Sequence, residues 1–151
     1  MSQNQVWTCK NCKTTDLNFK YSSGNMPVCK DCQKYRNIKV NANVKRKKIR
    51  NPELLISEEE FLTWIRSKER KCYYCGICED DLKKLKIKSQ IGLNIESLGI
   101  DRIDSNGDYT MSNIVLCCFV CNKVKSNFFS QSEMKHIGEN IHHIWNQRLE
   151  G

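Results

Sequence analysis

Apolar positions recur at helical spacing in three stretches of the chain. In the first, Tyr35, Ile38 and Ala42 form one stripe along an otherwise cationic segment from Lys30 to Arg50, and Asn51-Pro52 is the predicted stop. The second begins at Ser57-Glu-Glu-Glu60, a capping-box start, and places Phe61, Trp64 and Ile65 on one face. The third opens with Ser130 and Glu133, another capping box, and carries Met134, Ile137, Ile141, Ile144 and Trp145 on its predicted buried side. Between the second and third, Leu98–Asp104 and Asn113–Cys117 read as two strands, with Asn106-Gly107 supplying a turn in a connection longer than two residues. The chain is then predicted to become helical through Asn122, Val124 and Lys125. Strand, loop, strand, helix makes an α+β arrangement with flanking helices. Residues 1–32 show no comparable periodicity; Phe19, Tyr21 and the turn-like Ser22-Ser-Gly-Asn25 predict a short hairpin there.

Cysteine spacing accounts for that irregular start. Of ten cysteines in 151 residues, eight fall into Cys-x-x-Cys pairs. Cys9/Cys12 and Cys29/Cys32 make one set of four, and Cys72/Cys75 and Cys118/Cys121 make a second. A two-residue spacing lets both sulfurs of a pair reach one tetrahedral ion, and two pairs close a structural Zn2+ site. Pairing swapped between the sets would demand interleaved lobes. Cys78 and Cys117 are left over, either as substitute ligands or as ordinary buried thiols. The length suits one domain or two small lobes. The expected division is 1–56, a zinc-knuckle lobe ending in the basic segment, and 57–151, a second lobe with its own zinc site. The opening Met-Ser-Gln-Asn-Gln has no apolar signal core, and no apolar run approaches the roughly 20 residues that span a bilayer. A cytoplasmic chain with reduced thiols and no membrane contact is the expectation.

Charge adds a partner. The chain has 25 basic and 17 acidic residues, a net +8, and a pI of about 9.0, a balance that favours a polyanion. Lys30, Lys34, Arg36, Lys39, Lys45, Arg46 and Lys47, interleaved with Asn37, Asn41 and Asn43, are the predicted phosphate-contacting set, although a solvated face or a flexible arm would look similar.

The residues between and around the second set of cysteines resemble a known family. Gly-Ile-Asp-Arg-Ile-Asp-Ser (99–105), Gly107-Asp-Tyr109, Asn113 and Leu-Cys-Cys-Phe-Val-Cys-Asn-Lys-Val-Lys-Ser-Asn (116–127) are similar to the HNH endonucleases of the ββα-metal (treble-clef-like) fold, and within them to the PacI-like zinc-bearing type II restriction endonucleases. Cys-Tyr-Tyr-Cys-Gly-Ile (72–77), Phe-Leu-Thr-Trp (61–64), Phe-Ser-Gln-Ser-Glu-Met (129–134) and Val-Asn-Ala-Asn (40–43) extend the likeness over nearly the whole chain.

The resemblance implies a site and a reaction. Asp101 and Asn122 would hold one catalytic divalent cation, Mg2+ or similar, because hard oxygen ligands suit it where thiolates suit zinc. Asn113 would hydrogen-bond the loop backbone and aim the base. The usual HNH pair is Asp-His, whereas this chain has Asp101-Arg102, and its histidines, His136, His142 and His143, all lie on the C-terminal helix. Tyr109 stands where the PacI-like pattern has a tyrosine that activates water. Arg102 would either favour its phenolate or grip the scissile phosphate. Lys123 and Lys125 would hold the cleaved strand. A small subunit cutting an AT-rich palindrome would act as a homodimer. A phage-type or homing HNH nickase, and a non-catalytic zinc-dependent DNA-binding regulator, are the alternatives. An EF-hand reading of the 102–113 loop fails, because Arg102 and Asn113 stand where calcium needs carboxylates.

Overall fold

The computed structural model describes residues 6–21, 25–44 and 50–151. It divides into two compact units, Met1–Ser67 and Lys68–Gly151.

The first unit is organised by cysteines before it is organised by helices. Cys9, Val28, Cys29 and Cys32 are buried together, with Trp7, Phe19 and Leu62 against them. Where the sequence predicts a hairpin, a 3₁₀ turn at Leu17–Phe19 forms instead, capped by Asp16, which accepts from the Asn18 N–H at 2.9 Å. This is a local Asx turn; residues 22–24 of the expected hairpin turn lie outside the described residues. Helix α1 (Lys30–Asn43) starts at Cys29 and buries Ile38 and Ala42, as the stripe predicts. It ends at Asn43 with an extended Val44, short of the Asn51-Pro52 stop. Helix α2 (Glu58–Ser67) has the expected capping box: Ser57 N–H donates to Glu60 at 2.8 Å and Glu60 N–H to Ser57 Oγ at 3.2 Å. Phe61 and Ile65 are buried and Phe61 meets the Tyr35 ring of α1 at 5.5 Å. That packing places α2 in the first unit, so the observed division follows Ser67, later than the expected boundary at 56.

The second unit is a two-stranded antiparallel sheet backed by helices. Strand β1 (Gly99–Arg102) pairs with β2 (Ile114–Cys117) in the register Gly99↔Cys117 through Arg102↔Ile114, and α4 (Phe119–Lys125) follows directly. All four β2 residues are buried. A short helix, α3 (Glu79–Lys84), precedes the sheet, and the sequence reading did not find it. Six residues give less than two turns, too few for a periodic signal. Helix α5 (Gln131–Glu150) has both bonds of its Ser130/Glu133 capping box and buries Met134, Gly138 and Trp145. Ile144, expected on the buried side, is 45% exposed, because the contact face runs through Gly138 instead. A Cβ at position 138 would overlap the Tyr74 carbonyl, so only glycine lets α5 lie this close to the Cys72–Cys75 turn.

Candidate active site and metal centres

Both sets of four cysteines come together as the spacing predicts. Within each set the sulfurs lie within 4.8 Å of one another. Tetrahedral zinc with bonds of about 2.3 Å needs sulfurs about 3.8 Å apart. Cys12–Cys29 at 3.7 Å, Cys9–Cys32 at 3.9 Å and Cys75–Cys118 at 3.8 Å match that spacing, so both sets can hold zinc.

The two centres are built alike. In each, the first pair sits on a tight turn closed by a backbone bond, Lys13 N–H to Cys9 O in one and Gly76 N–H to Cys72 O in the other. The second pair opens a helix. Cys29 and Cys118 are the N-caps of α1 and α4, and their sulfurs accept from the N–H groups of Cys32 and Cys121. A helix N-terminus supports negative charge, which suits thiolates. Although burial pushes the Cys9 thiol up, N–H groups of Cys12, Cys29 and Asn11 bring it down to about 6. Arg66 of α2 reaches Cys12 Sγ at 3.1 Å and approaches the buried Asp31 carboxylate at 3.7 Å, adding a cation beside the first cluster. In the second cluster, Cys72 is held well below the usual thiol range by hydrogen bonds from Cys117, Cys118 and Cys121, whereas Cys121 is pushed up, first by Cys118 and then by Cys72. Cys75 is lowered as well, by hydrogen bonds from Cys118 and Cys121, so the first pair of this cluster favours charge and the second does not; four thiolates at this spacing call for a divalent cation. Cys117 and Cys78 stand outside both groups: Cys117 donates to the Cys118 carbonyl at 3.3 Å and Cys78 to Asp81 at 3.1 Å.

The second unit's sheet carries the other candidate residues, in two groups. Asn113 fixes the connection between the strands. Its Oδ1 accepts from Asp104 N–H at 2.8 Å, and its Nδ2 donates to the carbonyls of Asp104 at 3.1 Å and Asp108 at 2.9 Å. Gly107 makes room for this clamp, since a Cβ there would come within 2.9 Å of Asn113 Nδ2. Arg102, at the end of β1, donates to Gly107 O at 2.5 Å, and its guanidinium lies 5.1 Å from the centre of the Tyr109 ring. Tyr109 is 6% exposed, and its hydroxyl has no hydrogen bond among the described residues.

Asp101 anchors the second group. Its Oδ2 accepts from the Tyr74 hydroxyl at 2.8 Å and faces Lys125 Nζ at 3.2 Å. Lys125 Nζ also donates to Arg102 O and Ser105 Oγ, both at 2.8 Å. The Tyr74 hydroxyl is pushed above its ordinary range by burial and then by the Asp101 charge, so it is a neutral donor. The two groups meet at the 101–102 peptide, where Lys125 touches both residues. Asn122 is exposed, without a side-chain partner among the described residues. It sits three residues before Lys125 on α4 and therefore on the same face, one turn away from the residue that contacts Asp101.

Burial bears on two of the expected DNA contacts. Lys125 is fully buried with its ammonium committed to Asp101, Arg102 and Ser105, which keeps its charge from a strand outside the protein, and Lys34 is 7% exposed. On α1, Arg36, Asn37, Lys39, Asn41 and Asn43 are exposed, and Lys30 is half-buried with its ammonium 3.4 Å from Asn18 O. Lys123 is exposed on α4, over the Phe119 ring at 5.5 Å. Lys45, Arg46 and Lys47 lie outside the described residues. Sequence reasoning missed Tyr74 and Ser105 as partners of the site. Tyr74 was visible only as a filler of the Cys72–Cys75 spacing, and a Ser beside Asp104 reads as loop.

The comparisons with known proteins point one way. No family model matches the chain, and no curated protein does. Among solved structures the chain is similar to the rare-cutting HNH restriction endonuclease PacI, with a TM-score of 0.81 and 34% identity over 93% of this chain and 96% of that one. No helix among the described residues is long and apolar enough to cross a membrane. The ββα arrangement of β1, β2 and α4, the paired cysteine clusters and this likeness over almost the full length make the chain a member of the PacI-like HNH endonuclease family.

Proposed function

We propose that the protein is a type II restriction endonuclease that cuts both strands of DNA with a divalent cation and a tyrosine in place of the histidine base. The carrying observation is the loop geometry. Three Asn113 hydrogen bonds fix the 104–108 backbone, and the Arg102 guanidinium lies over the Tyr109 ring, whose hydroxyl is left without a partner among the described residues. A bare structural aromatic needs neither the adjacent cation nor a free hydroxyl.

In this reading Tyr109 takes a proton from the attacking water. Arg102, tied to Gly107 O, keeps positive charge beside the phenol and the phosphate. Asn113 aims the loop that ends at Tyr109. Asp101 fits a hard cation, since its Oδ1 has no partner among the described residues, and the exposed Asn122 amide is the second oxygen ligand. Asp101 and Asn122 would hold Mg2+ or a similar ion, which would supply polarisation of the phosphate and stabilisation of charge on the leaving 3′ oxygen, and cleavage would leave 5′-phosphate and 3′-hydroxyl ends. Zn2+ in the two cysteine centres is structural, because four thiolates close each site. The exposed Arg36, Asn37, Lys39, Asn41, Asn43 and Lys123 contact double-stranded DNA, with Lys30 beside them. The target is an AT-rich palindrome and the enzyme a homodimer, in keeping with the sequence resemblance and with the two-fold symmetry of such sites. Ten unbridged cysteines suit a reducing, cytoplasmic setting.

Incubating supercoiled plasmid with zinc-loaded protein and Mg2+ is the test. Linear product at discrete sites is expected. Nicked circles would identify a nickase, and intact plasmid in the presence of binding would leave a DNA-binding regulator. Tyr109→Phe is expected to keep folding and DNA affinity while cleavage falls by roughly 10²–10⁴-fold, the usual share of a general base. Normal cutting by that variant would sink the tyrosine assignment.

A further inference from the structure

We propose that Tyr74 and Lys125 position Asp101 by saturating one of its two carboxylate oxygens, so that the residue offers a cation a single oxygen and the site prefers a small octahedral ion, Mg2+ or Mn2+, over Ca2+. This rests on the assignment of Asp101 as a cation ligand made above. Both partners converge on Oδ2, the Tyr74 hydroxyl through a hydrogen bond at 2.8 Å and Lys125 Nζ as an ion pair at 3.2 Å, while Oδ1 has no hydrogen bond among the described residues.

Neither partner can follow the carboxylate if it turns. Tyr74 lies between two cysteines of the second cluster, is 6% exposed, has its carbonyl pressed against Gly138 and meets the Tyr73 ring edge-on at 5.2 Å. Lys125 is fully buried, with Nζ held by Arg102 O and Ser105 Oγ. Turning Oδ2 toward an ion at Oδ1 would strand a buried phenol and a buried ammonium, each costly without a partner. Ca2+ takes six to eight oxygens and accepts bidentate carboxylates, whereas Mg2+ demands near-ideal octahedral geometry and keeps several waters. Blocking Oδ2 therefore handicaps Ca2+ more. The Lys125 charge acts in the same direction, since it offsets the one carboxylate on a site where Ca2+ centres gather several.

Tyr74→Phe removes the hydroxyl and leaves the ring. The test titrates the full-length, zinc-loaded protein with Mn2+, follows the free ion by electron paramagnetic resonance, and then competes with Ca2+, all without DNA. Circular dichroism and zinc content confirm that the variant is folded. In Tyr74→Phe the ratio of Ca2+ to Mn2+ affinity is expected to rise by about tenfold, the lower end of the usual effect of a ligand's hydrogen-bonding partner. An unchanged ratio overturns the proposal. The control is Asp101→Asn combined with Lys125→Met, which removes both charges together and so avoids stranding the lysine. Loss of Mn2+ binding in that control keeps Asp101 as the ligand whatever Tyr74 does. Wild-type Mn2+ binding in it overturns both the proposal and the cation assignment beneath it.

Discussion

Lys125 shows how far a single residue can depart from its sequence appearance. On a short basic run after a Cys-x-x-Cys pair, a lysine three residues past Asn122 reads as a strand-gripping charge; in the structure it is a buried strut between α4, β1 and the 104–108 loop. Nothing local encodes that, because its burial follows from how α4 packs on the sheet. The pair it forms with Asp101 has a measurable signature. Asp101→Asn leaves a wholly buried ammonium without its counter-charge and is expected to cost about 3–5 kcal/mol, as broken buried pairs do. Lys125→Met is expected to cost less, since Asp101 keeps the Tyr74 hydrogen bond. The double variant, with neither charge, should recover part of the loss. Urea midpoints of the three variants form the cycle, and strict additivity would show that the two groups do not interact.

At the scale of elements, what was legible was what is local. Both capping boxes, the stripes of α1 and α2, the hairpin of β1 and β2 and the turn into α4 all follow from neighbouring residues. The 3₁₀ turn at Leu17–Phe19 and the helix α3 were not legible, since each is too short for periodicity and depends on its flanking cysteines and caps. Gly138 belongs to the same category: a glycine inside a helix looks like a weak point until the Tyr74 carbonyl is seen against it. Gly138→Ala, favourable by helix propensity alone, is therefore expected to destabilise the second unit by about 1–3 kcal/mol through overpacking, and a raised urea midpoint would contradict the close approach. The Ser130 cap adds a pH dependence. Ser130's N–H and hydroxyl hold the exposed Glu133 carboxyl below its ordinary value. A folded-state value below the unfolded one means the cap's contribution is complete above the usual glutamate range and is lost as pH falls through the lowered value. Acid unfolding of Glu133→Gln should accordingly show a shallower slope than the wild type as pH falls below the usual glutamate range.

For the molecule as a whole, the sequence disclosed the budget of charge but not its address. A net +8 and a cationic 30–50 segment say that a polyanion is the partner; they do not say which lysines face it. Cysteine spacing was more informative, because a tetrahedral ion imposes its own geometry on any chain that binds it, and both clusters closed as paired. Lysine carries no such constraint: Lys34 and Lys125 are buried while Arg36, Lys39 and Lys123 are exposed, although all five stand in similar surroundings along the chain. Counterion release turns this difference into a measurement. Each phosphate contact adds about 0.9 to the slope of log K against log salt on duplex DNA. If α1 lies on the phosphate backbone, Arg36→Gln and Lys39→Gln should each lower that slope by about 0.9, with affinity falling for specific and nonspecific duplexes alike. Lys125→Met, provided the variant is folded at the assay temperature, should leave the slope where it was, since no counterion is displaced by an ammonium already neutralised inside the protein. A drop in slope for Lys125→Met equal to that for Lys39→Gln would mean that the buried pair opens when DNA binds.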